Sequence, residues 1–245
     1  MIYYDKKEEP HIILPGEIPG GFKSKFLGKG ANGECFLTDT GAVFKQMKYR
    51  EENYDDIVGI TKLESDYFAF PKELVYQGER SASTLVGYTM DYVDGVSIRS
   101  LGPETNIRDL INALANLEHE IAVLSKDQNL VCYDLNYGNM LYQKDKKEFK
   151  VVDTDLYYFD LHEEYPYVLK QNIKELSEYI LYYLAGYYDF KDYNINLYFE
   201  ICVTNGKARP SRVLTDILNA LEKEMHEEVN TLGEFKSNLQ LIKRS

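Results

Sequence analysis

The chain has 245 residues, 44% of them hydrophobic and 28% charged, with a formal net charge of −12. That length suffices for a well-buried core in one large domain or two small lobes. The acidic balance argues against broad binding to nucleic acid or to an anionic membrane, while leaving room for a local basic pocket that holds a phosphate.

Residues 1–21 carry Pro10, Pro15, Pro19 and three glycines and read as an irregular lead-in. From 22 to 48 the pattern predicts three short strands. Residues 23–27 lead into the run FLGKGANGECF, with Gly28, Gly30 and Gly33; residues 34–38 return; and Asp39-Thr40-Gly41 is a tight turn before 42–47, which carries Lys45. Because the glycines lead from one strand into another, they form a hairpin lid rather than the strand-to-helix turn of a dinucleotide fold. Residues 55–69 place Ile57, Ile60, Leu63 and Tyr67 at helical spacing behind an acidic start, which predicts a helix. ELVYQ and STLVGYTMDYV read as two further strands.

After Asp94-Gly95 the character changes. Residues 106–126 form an amphipathic helical pattern, 140–143 and 149–152 are strand-like, and 172–186 and 213–225 are helical, the former ending at Gly186. The expected organisation is a lead-in over 1–21, a small β-rich region with one helix over 22–93, and a mainly helical region over 94–245, an α+β fold of two lobes. Cys35, Cys132 and Cys202 are far apart and lack metal-ligand spacing, which fits reduced thiols. The first residues lack the basic-then-apolar layout of a signal peptide, and no stretch approaches the roughly 18–20 apolar residues of a membrane span. A soluble, cytoplasmic protein is expected.

The chemistry lies in a few polar residues. Asp134 and Asn139 stand in a D-x-x-x-x-N spacing directly before an apolar strand, and VVDTD puts Asp153 at the end of a second one. An aspartate leaving a buried strand is costly unless a cation or hydrogen bonds satisfy it. Glycines let backbone N–H groups approach phosphate oxygens, and a lysine supplies a point charge. Taken singly, the glycines could be an ordinary turn, Lys45 a solvated strand lysine, and Asp134, Asn139 and Asp153 loop-capping residues. Taken together they form a phosphoryl-transfer set, chemistry that consists largely of positioning and charge neutralisation.

In this order and spacing the residues resemble the protein kinase superfamily over roughly 22–186. FLGKGANGECF is similar to its glycine-rich loop, AVFK to its VAIK strand, MDYVDG to its hinge, CYDLNYGN to its HRDLxxxxN loop, VVDTD to its DFG segment, and NIKELSEYILYYLAG to the hydrophobic helix that anchors its larger lobe. The resemblance implies a two-lobed kinase-like fold, ATP and magnesium as cofactors, and a hydroxyl acceptor in a protein or a small molecule; from the acidic balance, neither nucleic acid nor membrane is expected as a partner. Gly28, Gly30 and Gly33 would cover the phosphates and Lys45 would contact them. Glu64, nineteen residues after Lys45, would be its ion-pair partner, with Asp66 or Glu73 as alternatives in another helix register. Asp134 would accept the substrate hydroxyl proton, and Asn139 and Asp153 would hold magnesium. Cys35 and Val43 would roof the adenine, Leu141 would floor it, and the backbone of Asp91 to Val93 would meet its edge.

The chain departs from the family in several places, among them Asn136, two after Asp134, where serine/threonine kinases usually carry a lysine. CYD stands for HRD, so Tyr133 replaces the arginine that reads a phosphorylated activation loop, and Cys132 occupies the histidine position as a packing thiol. DTD stands for DFG, with Asp155 in the glycine position, either an additional magnesium contact or a solvated loop acid. The segment from Asp153 to the helix at 172 is short and contains no A-P-E. Three readings follow: a serine/threonine protein kinase, a small-molecule kinase of the aminoglycoside or choline kinase type, and a catalytically inactive nucleotide-binding pseudokinase.

Overall fold

The structure is a computed structural model that describes residues 9–48, 54–186 and 189–244. In it the chain divides into two units, Met1–Val93 together with Val152–Tyr158, and Asp94–Val151 together with Phe159–Ser245. The segment 152–158 thus groups with the first unit. Among the described residues no helix is long and apolar enough to cross a membrane.

Among the described residues the first unit is a six-stranded sheet with one short α-helix. Its strands are β1 (His11–Leu14), β2 (Lys25–Lys29), β3 (Gly33–Leu37), β4 (Val43–Met47), β5 (Glu73–Gln77) and β6 (Leu85–Met90), in the order β1-β5-β6-β4-β3-β2, and its helix is α1 (Tyr54–Ile60). All neighbours run antiparallel except β1 and β5. Gly41, at φ +85°, makes the turn between β3 and β4, where the Thr38 N–H donates to the Ala42 carbonyl at 2.8 Å. Leu14, Phe36, Phe44, Val75 and Val86 pack on one face under Ile12, Ile18 and Phe22. Each such side chain contributes about 1.5–3 kcal/mol on full burial.

Two sequence expectations need correction here. The lead-in is ordered from Glu9 onward among the described residues: Ile12 and Ile13 favour a strand strongly enough to form β1 between Pro10 and Pro15. Buried Glu9 anchors it by accepting from Arg80 and from the Tyr76 hydroxyl. Residues 1–8 lie outside the described residues. The helix predicted over 55–69 stops at Ile60, where the chain tightens into i→i−3 bonds from Lys62 to Gly59 and from Leu63 to Ile60. Beyond it, burial alternates residue by residue from Thr61 to Tyr67, leaving Glu64 exposed, before Phe68, Ala69 and Phe70 enter the core.

The second unit is mainly helical. It holds β7 (Val96–Ser97), α2 (Ile107–Gln128), β8 (Leu130–Val131), β9 (Met140–Gln143) and β10 (Glu148–Val151). A two-residue strand, β11 (Tyr158–Phe159), stands where the chain passes between units, followed by α3 (Tyr165–Leu184), α4 (Tyr193–Asn205), α5 (Pro210–Met225) and α6 (Leu232–Asn238). β7, β9 and β10 form a three-stranded antiparallel sheet. Asn106 caps α2 by accepting from the Asp109 N–H, and Asn129 ends it in the left-handed region. Leu110, Leu114, Leu117 and Ile121 of α2 are buried with Ile173, Leu176 and Ile180 of α3 and Leu214, Ile217 and Leu218 of α5.

α3 starts at Tyr165, seven residues before the predicted helix at 172, with Pro166 in its first turn. The stretch between Asp153 and that helix is therefore even shorter, residues 154–164. α4 and α6 had no predicted counterpart.

Candidate functional site

Lys45 lies in the middle of the first unit's sheet. Register places Cys35 of β3, Lys45 of β4 and Tyr88 of β6 side by side. The lysine side chain is only 4% exposed and its ammonium pairs with two carboxylates, Asp153 Oδ1 and, at 2.6 Å, Asp155 Oδ1. Tyr88 closes the cage, its ring centroid 5.9 Å from Nζ. Burial alone would lower the Lys45 pKa, but Asp155 and Asp153 outweigh it and the net displacement is upward. Burial likewise opposes ionisation of Asp153, yet Lys45 holds that carboxyl below its ordinary value. Asp155 is pushed up to about 6, chiefly by burial and then by the neighbouring Asp153 charge, against the pull of Lys45.

Backbone shape makes the convergence possible. Asp153 adopts φ +63°, uncommon for a residue other than glycine but tolerated by aspartate. The Tyr157 N–H then donates to the Thr154 carbonyl, and the Tyr157 ring meets Phe68 edge-on at 6.0 Å. Asp155 is thus not a solvated loop acid: with a side chain 1% exposed, it pairs with Lys45. Glu64 is not brought to Lys45; it stands exposed beyond the end of α1 and makes no ion pair with the lysine.

The glycine run forms the β2–β3 hairpin, closed by the Gly30 N–H donating to the Gly33 carbonyl at 2.9 Å. Lys48, which sequence reasoning missed, fastens its tip by donating to the carbonyls of Gly30 and Ala31, each at 3.1 Å. The three glycines differ. A Cβ at Gly33 would stand 2.4 Å from the Gln46 carbonyl oxygen, so close strand packing requires glycine there. At Gly28 and Gly30 a Cβ would meet nothing within 4 Å, and neither has a positive φ.

In the second unit, Asp134 and Asn139 come together. Asp134 adopts φ +64°, and its carboxylate accepts from Asn136 Nδ2 at 2.7 Å and Asn139 Nδ2 at 3.1 Å. Asn139 Nδ2 also donates to the Asp134 carbonyl, so the amide oxygen of Asn139 is left as an acceptor that takes no hydrogen bond among the described residues. Asn136, in the position where serine/threonine kinases usually carry a lysine, organises the loop: its Oδ1 receives the N–H groups of Gly138 and Asn139.

α3 holds this loop from below. Fully buried Asn172 accepts the Cys132 N–H at 2.8 Å and donates to the Leu130 carbonyl and to Ser125 Oγ. One turn on, Glu175 Oε1 accepts the Asp134 N–H at 3.0 Å, and burial, then the Asp134 charge, raises its pKa. Cys132 is 1% exposed and its thiol pKa is driven up by burial, so it packs rather than reacts.

Of the remaining predicted residues, Val43 is buried on β4, Cys35 is half-buried with its thiol pushed up to about 11 by burial, and Val93 is buried. Asp91 pairs with Lys72 at the surface. Leu141 lies half-buried on β9 of the second unit, opposite Lys150 and Ser97.

No family model matches the chain. Over 162 residues it is 26% identical to the "Protein kinase OspG" of Shigella flexneri, covering 63% of this chain and 75% of that protein. The same figures hold for the proteins of that name from Shigella sonnei (strain Ss046) and Shigella flexneri serotype X (strain 2002017). At that identity, the protein shows a kinase-like relationship, which points to a phosphotransferase.

Proposed function

We propose that the protein is an ATP- and magnesium-dependent phosphotransferase that passes the γ-phosphoryl group to a hydroxyl, and that it is a serine/threonine protein kinase. The observation that carries this reading is the buried pairing of Lys45 with Asp153, residues 108 positions apart that the resemblance assigns to phosphate and metal. Asp153 keeps a side chain 34% exposed, enough to engage a further cation while it holds Lys45. Asn139 offers an unoccupied amide oxygen, the hard donor that magnesium takes. When bound, magnesium and ATP supply the electrophilic phosphoryl group and neutralise its charge.

This chain's own residues supply the remainder. Lys45 presents a permanent cation to the phosphates, and Gly28 and Gly30, which the fold itself does not require, let backbone approach them. Asp134, fixed by two neutral amides, orients the acceptor hydroxyl and takes its proton. Asp91 to Val93, Cys35, Val43 and Leu141 are assigned to the adenine on the resemblance alone.

The short stretch 154–164 favours a second reading, a small-molecule kinase, since it leaves little chain to bind a peptide. One experiment tests both: incubate the protein with γ-labelled ATP and magnesium, together with lysate protein or with a metabolite extract, and compare it with Asp134→Ala and Asp153→Ala. Label in serine or threonine of protein that vanishes in both variants is the expected result. Label confined to small molecules replaces the acceptor, and nucleotide binding without transfer leaves a pseudokinase.

A further inference from the structure

The cage around Lys45 is more closed than a nucleotide-facing lysine alone requires. Two glycines make room for its strand: a Cβ at Gly87 of β6 would lie 2.1 Å from the Lys45 carbonyl oxygen, and one at Gly33 of β3 would lie 3.3 Å from Lys45 Cε. Inside this slot the two carboxylates are not equivalent. Asp153 has a side chain 34% exposed, whereas that of Asp155 is 1% exposed. The more enclosed carboxylate, Asp155, holds the ammonium at 2.6 Å and so fixes it in direction and depth. The helix that would otherwise provide such an anion ends at Ile60, with Glu64 exposed beyond it.

We propose that Asp155 is the positioning residue for Lys45, taking the place of a helix glutamate, so that lysine, anchor and metal-facing aspartate are all set by β4 and the tripeptide Asp153-Thr154-Asp155. This rests on the assignment of Lys45 to nucleotide phosphates. Its consequence is that the lysine's readiness does not depend on where α1 stands. A kinase whose lysine is anchored by a mobile helix is switched by moving that helix; this chain keeps the anchor two residues from Asp153 and buries it.

The test compares Asp155→Asn, Asp155→Glu and Glu64→Gln with the parent protein, each checked for folding by thermal melting. Three quantities are read: KM for ATP, kcat, and the rate at which a small amine-reactive acylating reagent labels Lys45, followed by mass spectrometry. Asp155→Asn is expected to raise the KM for ATP about tenfold or more with a smaller change in kcat, and to speed labelling of Lys45, because a charge-assisted bond is lost. Asp155→Glu is expected to recover part of both, which a purely structural role would not produce. Glu64→Gln is expected to leave all three unchanged.

Loss of ATP affinity in Glu64→Gln, or an unchanged KM and labelling rate in Asp155→Asn, overturns the proposal. Should Asp155→Asn fail to fold, Glu64→Gln and Asp155→Glu still decide it. If the parent protein transfers no phosphate, the functional reading fails on that count alone, while Lys45 labelling continues to report on the anchor.

Discussion

Asp134 and Asp153 share an unusual backbone, φ +64° and +63°, and are held in opposite ways. In the first unit Asp153 faces a buried ammonium that also binds Asp155, so charge is met with charge. In the second unit Asp134 is met by two neutral amides, with a further carboxylate, Glu175, on its own N–H. The difference separates two tasks. A pair that fixes a cation is best neutralised, with one carboxylate, Asp155, enclosed, whereas a group that takes a proton needs its charge oriented but not cancelled. Left-handed backbone at both serves one purpose, turning the carboxylate off the end of a strand, and costs about 1 kcal/mol or more at each.

The comparison breaks most sharply at its cation. Lys45→Met leaves two carboxylates in the slot without a partner and is expected to cost about 3–5 kcal/mol in urea denaturation. In the second unit, Asn139→Ala removes only partly exposed neutral donors and is expected to cost about 1–2 kcal/mol by the same measurement. Similar losses for the two would show that charge pairing is not what distinguishes the sites.

A buried acid without any ammonium sharpens the contrast. Glu118 of α2 accepts the Ser211 N–H at 2.7 Å and the Ser211 hydroxyl at 2.6 Å, at the first turn of α5. Burial pushes its pKa up to about 7, against these bonds and Arg209. The folded state therefore keeps a proton that the unfolded chain releases near 4.5, and stability falls as pH rises from about 4.5 to about 7, by up to about 3 kcal/mol. Glu118→Gln preserves the shape and is expected to flatten stability measured at pH 5, 6, 7 and 8; an unchanged slope would assign the pH dependence elsewhere.

The smallest effects separate the glycines. Gly33→Ala drives a methyl group against the Gln46 carbonyl and is expected to cost about 1–3 kcal/mol. Gly30→Ala is expected to shift stability by less than about 0.5 kcal/mol yet weaken ATP binding. Melting curves beside nucleotide titrations distinguish the two.

The parts legible in sequence were those with a strong local signature. β9 and β5 stand where short apolar runs beside polar turns put them, and the spacing of Asp134 and Asn139 reflects one loop stitched by Asn136. Leu63 and Tyr67 misled because their helical spacing coincides with a chain whose burial alternates residue by residue, and only the polar run Glu64-Ser65-Asp66 argued for a stop. α6 carried a readable signal in Thr231 and Glu234, which form a capping box. α4 carried one as well, in the Asp192 cap and in Gly206 at φ +60°. The pairing of Asp155 with Lys45 had no local signature, since it is decided across 110 positions by burial.

Strand β1 has a consequence for the order in which the sheet can be completed. It pairs with β5 in parallel, His11 opposite Leu74 and Leu14 opposite Gln77, and parallel pairing over so many intervening residues is entropically expensive to start. During synthesis β1 leaves the ribosome well before its partner exists, and at about 5–20 residues per second it waits several seconds for β5. β1 is thus placed only after β5 exists, and until it docks, the outer edge of β5 stands open to any other extended chain.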